Sequence, residues 1–315
     1  GDVNGDGTGE LVASAPYELV GNLWRGRTYV MNGRDLTYDP LAGGTLDVNG
    51  FTVFGECGRR RDLDQQLRTL PAPERATNAD LAGYRVVSVG DANGDGLGDF
   101  AVSAPNHGND DEGSVFVIYG RADDTPLDVG EIFNRGCGAT EVTNVGPRDG
   151  IDGVAAYGPN ENNSASSPAR WGYHLSNAGD FDGDGYDDVL VPSPGLSATN
   201  VTHIVRGGRQ RTSLAMAHPS PNPSGIWGVL LGDWSYSNGM TRGRLAAGFP
   251  HGGGGDVNGD GFDDLAFLGR DFDRNTFLNV LFGRGTDDDG TLRTDETVEN
   301  SGRGFAVSGS ITFSS

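Results

Sequence analysis

The sequence predicts an all-β fold, a β-propeller built from four-stranded blades, and three observations carry that expectation. A nine-residue loop of Asp, Asn and Gly recurs four times, beginning at Asp2, Asp91, Asp180 and Asp256, at spacings of 89, 89 and 76 residues. Short runs rich in Val, Leu, Ile and aromatic residues flank each copy and end at Gly or Pro, as strands do. The 53 Gly and 15 Pro of this 315-residue chain are spread between those runs as turn punctuation. A fixed period of this kind denotes a repeat architecture in which each unit buries its face against the next.

The loop itself explains the residue types. In the third copy Asp180, Asp182, Asp184 and Asp188 occupy positions 1, 3, 5 and 9, with Gly at positions 4 and 6. The alternation turns the side chains of positions 1, 3 and 5 toward one point. Glycine at position 6 permits the positive φ that lets the carbonyl of position 7, here Tyr186, join them. The first copy supplies Asp2, Asn4, Asp6 and Glu10 with the Thr8 carbonyl. The second supplies Asp91, Asn93, Asp95 and Asp99 with Leu97, and the fourth Asp256, Asn258, Asp260 and Asp264 with Phe262. Hard oxygen donors on a flexible loop suit Ca²⁺ better than Mg²⁺ or a thiophilic metal, so up to four calcium ions are expected. The final carboxylate falls at position 9 between strands, which excludes an EF-hand, where it falls at position 12 between helices. Asp187 and Asp263, beside the ligands, are read as solvated loop residues.

After each loop comes an apolar strand: 11–16, 100–105, 189–192 and 265–269. A second strand follows and ends on Gly33, Gly120, Gly207 or Gly283. A third, weaker one comes later, such as 51–54 or 154–157, and a Gly-led strand (82–86, 171–175) runs into the next loop. Four strands per repeat is the content of one propeller blade. The repeats fall at approximately 1–80, 81–170, 171–245 and 246–315 within a single domain, with polar inserts at 58–80, 121–140 and 158–170. A short helix is expected at 62–70. The Gly252–Gly255 run reads as a flexible lead-in. The first loop lacks a leading strand, and 302–311 resembles one. A ring of four large blades closed by that C-terminal strand is favoured, since closure removes exposed sheet edges. The alternative is part of a seven-bladed ring.

The formal net charge of −21 argues against nucleic acid or an anionic membrane as partner. No apolar run is long enough to span a membrane. The start on an acidic loop is read as a processed or partial N-terminus, so the lack of a signal segment decides nothing. Cys57 and Cys137 are too few for a disulfide scaffold; one disulfide and two free thiols both remain open.

Gly83-Tyr84, the loop from Gly90 to Gly96, Asp99-Phe100-Ala101-Val102, Ala104-Pro105 and Gly113 to Val117 together resemble an FG-GAP repeat. Such repeats build the propeller head of integrin α subunits and many bacterial surface proteins. The resemblance covers nearly the whole chain and is strongest at 81–121 and 171–195. It departs in repeat four, with Gly248-Phe249-Pro250 before the loop and Gly269 for Ala-Pro. It implies calcium-stabilised adhesion or ligand binding outside the cell and names no ligand.

The common catalytic signatures are absent from the sequence. The five histidines are scattered, and no His-Glu-x-x-His, Gly-x-Ser-x-Gly or phosphate-binding Gly-Lys motif occurs. Trp24, Trp171, Trp227 and Trp234 could stack on sugars, but blade packing is the favoured role. Arg59-Arg60-Arg61 reads as a solvated insert. The sequence therefore points to a non-enzymatic module, extracellular or at the cell surface. A protein or glycan ligand would meet its loops, with other subunits of a surface assembly as further partners. A lectin-like propeller and a calcium-dependent polysaccharide lyase or hydrolase are the alternatives.

Overall fold

A computed structural model describes residues 1–20, 23–33, 49–55, 80–107, 112–129, 152–158, 171–193, 201–209, 214–215, 226–229, 252–270, 276–283 and 304–308. Within them, each acidic loop leads directly into the strand that the sequence places after it, and that strand turns back antiparallel on the next. The first sheet orders Leu11–Ala15, Arg27–Met31 and Gly50–Phe54. The second orders Val86–Gly90, Asp99–Ala104, Ser114–Ile118 and Gly153–Tyr157. The third runs Ser176–Gly179, Asp188–Ser193, Val201–Val205, Ile226–Val229. The fourth runs Gly252–Gly253, Leu265–Arg270, Thr276–Leu281, Gly304–Ser308. Four antiparallel sheets of this kind are the blades the repeats predict. Their inner strands adjoin in chain order: Leu11–Ala15 meets Val86–Gly90, which packs beside Ser176–Gly179, which packs beside Gly252–Gly253.

The two-residue side-chain period of a strand splits the second sheet between two cores. Phe100, Val102, Phe116 and Ile118 join Val30, Phe51 and Val53 of the first sheet. Ala101, Val115 and Val117 join Val189, Val191 and Val205 of the third. A sheet covered on both faces hides successive residues on either side, so Asp99–Ala104 and Ser114–Ile118 are buried throughout. Trp171 lies in the second core with no exposed surface, and its indole N–H donates to His203 Nδ1 at 3.0 Å. Blade packing is thus its role. Burial pushes the His203 pKa down to about 3, so the ring is neutral and can accept.

Three expectations need correction. The C-terminal strand does not complete the first sheet: Gly304–Ser308 is the outer strand of the fourth, pairing antiparallel with Thr276–Leu281. Closing a local hairpin edge costs less loop entropy than spanning to a distant sheet. The polar insert 121–140 also holds structure. Its Leu127–Asp128 adds a parallel edge to Gly50–Phe54 of the preceding sheet, as Leu214–Ala215 does for Gly153–Tyr157. Arg25 anchors the first of these handovers, its Nη2 on the buried Asp128 carboxylate and its Nε donating to the Gly55 carbonyl at 2.7 Å.

The glycine run before the fourth loop is the third correction. Gly252–Gly253 is a paired edge strand. A Cβ on Gly253 would stand 2.9 Å from Ala178 Cα and 2.8 Å from the Asn177 carbonyl oxygen. The missing side chain serves close strand packing rather than flexibility. The expected helix at 62–70, both cysteines, the Arg59–Arg61 island and Trp234 lie outside the described residues.

Candidate metal centres

The four loops share one backbone path. Glycines at positions 4 and 6 are left-handed in every copy, with φ of 76° and 83° in the first, 74° and 89° in the second, 71° and 88° in the third and 79° and 94° in the fourth. Each turn is held by side chains bonding to the loop's own amides. Asp91 Oδ1 accepts from Gly94 and Asp95, its Oδ2 from Gly96, Asn93 Oδ1 from Asp95, and Asp95 Oδ1 from Leu97, all between 2.7 and 3.0 Å. The first and fourth loops repeat this pattern. These bonds fix the carboxylates by shape.

Position 9 ties the loop to its blade. Asp99 accepts from Ala92 N–H at 2.8 Å and from Gly120 N–H at 2.7 Å. Asp264 does the same with Val257 and Gly283, and Asp188 holds the Gly207 N–H at 2.9 Å. Three of the strand-ending glycines picked out in the sequence, Gly120, Gly207 and Gly283, are therefore partners of the final carboxylate.

Carboxylate oxygens of Asp2, Asp6 and Glu10 lie within 4.8 Å of one another, as do those of Asp180, Asp182 and Asp184. Glu10 Oε1, Asp180 Oδ1 and Asp188 Oδ2 are buried without a hydrogen-bond partner. A buried carboxylate oxygen in that state is costly unless a cation meets it, so these residues fit a hard divalent ion. Position 3 is Asn in the first, second and fourth loops, and in the second and fourth its amide donates to the position 5 carboxylate at 2.9 and 2.8 Å. Burial pushes the Asp99 pKa up to about 7 and raises those of Asp182, Asp187 and, most strongly, Asp188. Asp256, in the open fourth loop, is instead lowered by backbone N–H donors, that of Gly261 first.

The sequence reading missed how the loops grip one another. Asp187 and Asp263, expected in solvent, each reach the preceding loop. Asp187 Oδ2 accepts the Asp91 N–H at 2.8 Å and Asp263 Oδ2 the Asp180 N–H at 2.9 Å. Their own N–H groups donate back to the Asp91 and Asp180 carbonyls. Position 7 lies over position 4 of the loop before it: a Cβ on Gly5, Gly94 or Gly183 would meet Leu97, Tyr186 or Phe262 at 2.8, 2.5 and 2.3 Å. Position 2 is sealed beneath, with Val3 2%, Ala92 3% and Phe181 0% exposed, whereas Val257 of the fourth loop is 65% exposed. The signal was in the sequence: position 7 is apolar in two copies and tyrosine in a third, an odd choice for a residue read only for its carbonyl.

Comparison with known proteins agrees with this geometry. The FG-GAP repeat family matches residues 1–31, 83–118 and 171–205. The chain is similar to phosphatidylinositol-glycan-specific phospholipase D of Mus musculus, 27% identical over 250 residues, 75% of this chain and 22% of that protein. It is similar to integrin alpha-PS5 of Drosophila melanogaster, 30% identical over 188 residues, 58% of this chain and 14% of that one. Integrin alpha-4 of Xenopus laevis is 28% identical over 188 residues, 57% of this chain and 16% of its own length. The chain thus spans less than a quarter of each of these relatives. No helix among the described residues is long and apolar enough to cross a membrane. The chain carries FG-GAP repeats in an integrin-like, all-β fold.

Proposed function

We propose that this protein is a calcium-stabilised binding module acting outside the cell or at its surface, without catalysis of its own. The observation that carries the reading is the pair of acidic clusters with buried, unpartnered carboxylate oxygens at Glu10, Asp180 and Asp188. In each loop the side chains at positions 1, 3, 5 and 9 and the carbonyl at position 7 would hold one ion. That assigns Asp2, Asn4, Asp6, Thr8 and Glu10 to the first site, with the corresponding sets from Asp91, Asp180 and Asp256. Calcium supplies the positive charge that lets the buried carboxylates stay ionised together. The loops also hold neighbouring blades in contact, so metal binding and blade stacking support each other.

Similarity to integrin alpha subunits favours a protein ligand or a second subunit as the partner. The phospholipase D similarity covers under a quarter of that enzyme, so its activity is not carried over. At ~1 mM calcium and a dissociation constant of ~10⁻⁴ M, each site would add about 1.4 kcal/mol. The test is thermal unfolding with metal quantification, with and without a chelator. Up to four ions per chain and a large fall in Tm on chelation are expected; an unchanged Tm would refute the stabilising role. Protein-partner capture and glycan arrays then separate a protein ligand from a lectin-like one.

A further inference from the structure

The third loop has a cation seated on its own carboxylates. Arg206 closes the strand Val201–Val205, one residue before Gly207. The corresponding positions before Gly33, Gly120 and Gly283 are Asn32, Tyr119 and Phe282, so one repeat in four places a positive charge here. Arg206 Nη2 bridges Asp182 Oδ2 and Asp184 Oδ2, the second at 2.7 Å. The Oδ1 atoms of the same two residues accept the N–H groups of Asp184 and Tyr186. The oxygens facing the guanidinium are thus not the ones that accept those loop bonds.

This is no exposed surface pair. The Arg206 side chain is 18% exposed and that of Asp182 0%, and a guanidinium does not release its charge by losing a proton. Position 3 is Asp in this copy and Asn in the other three, so the loop with the added negative charge is the one with the arginine. Asp180 Oδ1 and Asp188 Oδ2 still lack a hydrogen-bond partner. The donor set is therefore split, part held by the arginine and part left for a metal.

We propose that Arg206 is a tethered competitor for calcium at the third loop, holding positions 3 and 5 when the metal is scarce and lowering the site's affinity for it. This rests on the reading of the loops as calcium sites. A divalent ion entering here must displace Nη2 from Asp182 and Asp184 or share their Oδ2 atoms with it. Either route weakens binding relative to the same loop without the arginine.

The test uses Tyr186, which stands at position 7 where the other loops have Thr8, Leu97 and Phe262. Terbium bound near Tyr186 should luminesce when tyrosine is excited. Because that ring also lies over Gly94 of the second loop, Asp180→Asn, which removes a third-loop ligand, defines the signal to subtract. Terbium titration followed by back-titration with calcium is run on the unaltered chain, R206M and R206K. Half-saturation is expected at roughly tenfold lower metal in R206M, with R206K close to the parent. Calorimetric titration with calcium alone should show one site tightening and the others unchanged. Equal or weaker affinity in R206M, with metal bound in both proteins, overturns the competitor role and leaves the calcium reading standing. No metal at the third loop in any of the proteins overturns both. Should R206M fail to fold, R206Q carries the same comparison.

Discussion

Asp187 holds Asp91 from both sides: its Oδ2 accepts the Asp91 N–H at 2.8 Å while its own N–H donates to the Asp91 carbonyl at 3.3 Å. Asp263 repeats the arrangement on Asp180, at 2.9 and 3.1 Å. Between the first and second loops Gly98 occupies the same position and keeps only the backbone half, its N–H on the Asp2 carbonyl at 2.8 Å. The blades are thus joined through the acidic loops by one repeated contact.

Removing the carboxylate at such a joint strands a part-buried amide. D187A is expected to lose about 1–3 kcal/mol in chemical denaturation, and D263A a similar amount. Gly98→Ala tests the first joint without touching a carboxylate. If D187A and D263A unfold at the same denaturant concentration as the parent, the clamps contribute nothing to stability.

Gly90 and Gly179, which precede the second and third loops, have φ of 73° and 65°. A Cβ there would lie 2.0 Å from Oδ2 of Asp187 and Asp263 respectively. Gly7 and Gly96 have similar φ, 83° and 89°, but open space beside them. The left-handed strain, roughly 1–2 kcal/mol for a non-glycine residue, is therefore common to all four alanine variants. G90A and G179A should lose about 1–3 kcal/mol more from overpacking than G7A and G96A. Equal losses across the set would show that the clamp yields freely.

The metal-free protein should also carry a pH signature. Burial raises Asp99 to about 7 against an ordinary value of 3.8, so its folded state holds a proton more tightly than the unfolded one. Its contribution is present in full below about pH 4 and is lost as pH rises through about 7. His203 runs the other way: with its pKa lowered to about 3 from 6.5, it favours folding above pH 6.5 and loses that contribution as pH falls toward 3. The histidine is common to the parent and D99N, so subtracting their denaturation curves in a chelator isolates Asp99. The parent should lose stability relative to D99N between about pH 4 and 7, and calcium should abolish that trend. A pH-independent difference in the chelator would mean Asp99 ionises without cost in its buried site.

Much of the fold was legible because it rests on local chemistry. The Asx bonds within Asp91–Asp99 span two to five residues, and two left-handed glycines complete the turn, so nine residues specify it. The alternation of Phe100 and Val102 against Ala101 likewise announces a strand packed on both faces. The edge strand Leu127–Asp128 was less legible, since two residues are too few for a period to show. The C-terminal strand was placed on the wrong sheet because its composition suits either edge and only pairing energetics choose.

The sequence by itself determined the repeat, the loop conformation, the pair of strands that follows each loop and the residue types able to hold a hard cation. Each depends on contacts within one repeat, where spacing maps directly onto geometry. Only the tertiary structure decided what Asp187, Asp263, Tyr186 and Arg206 do. The first three meet the preceding loop, and Arg206 meets Asp182 across a 24-residue separation. A carboxylate in water and one clamped on a neighbouring backbone amide are the same letter in sequence. They differ in desolvation and hydrogen bonding, which exist only after the blades have stacked.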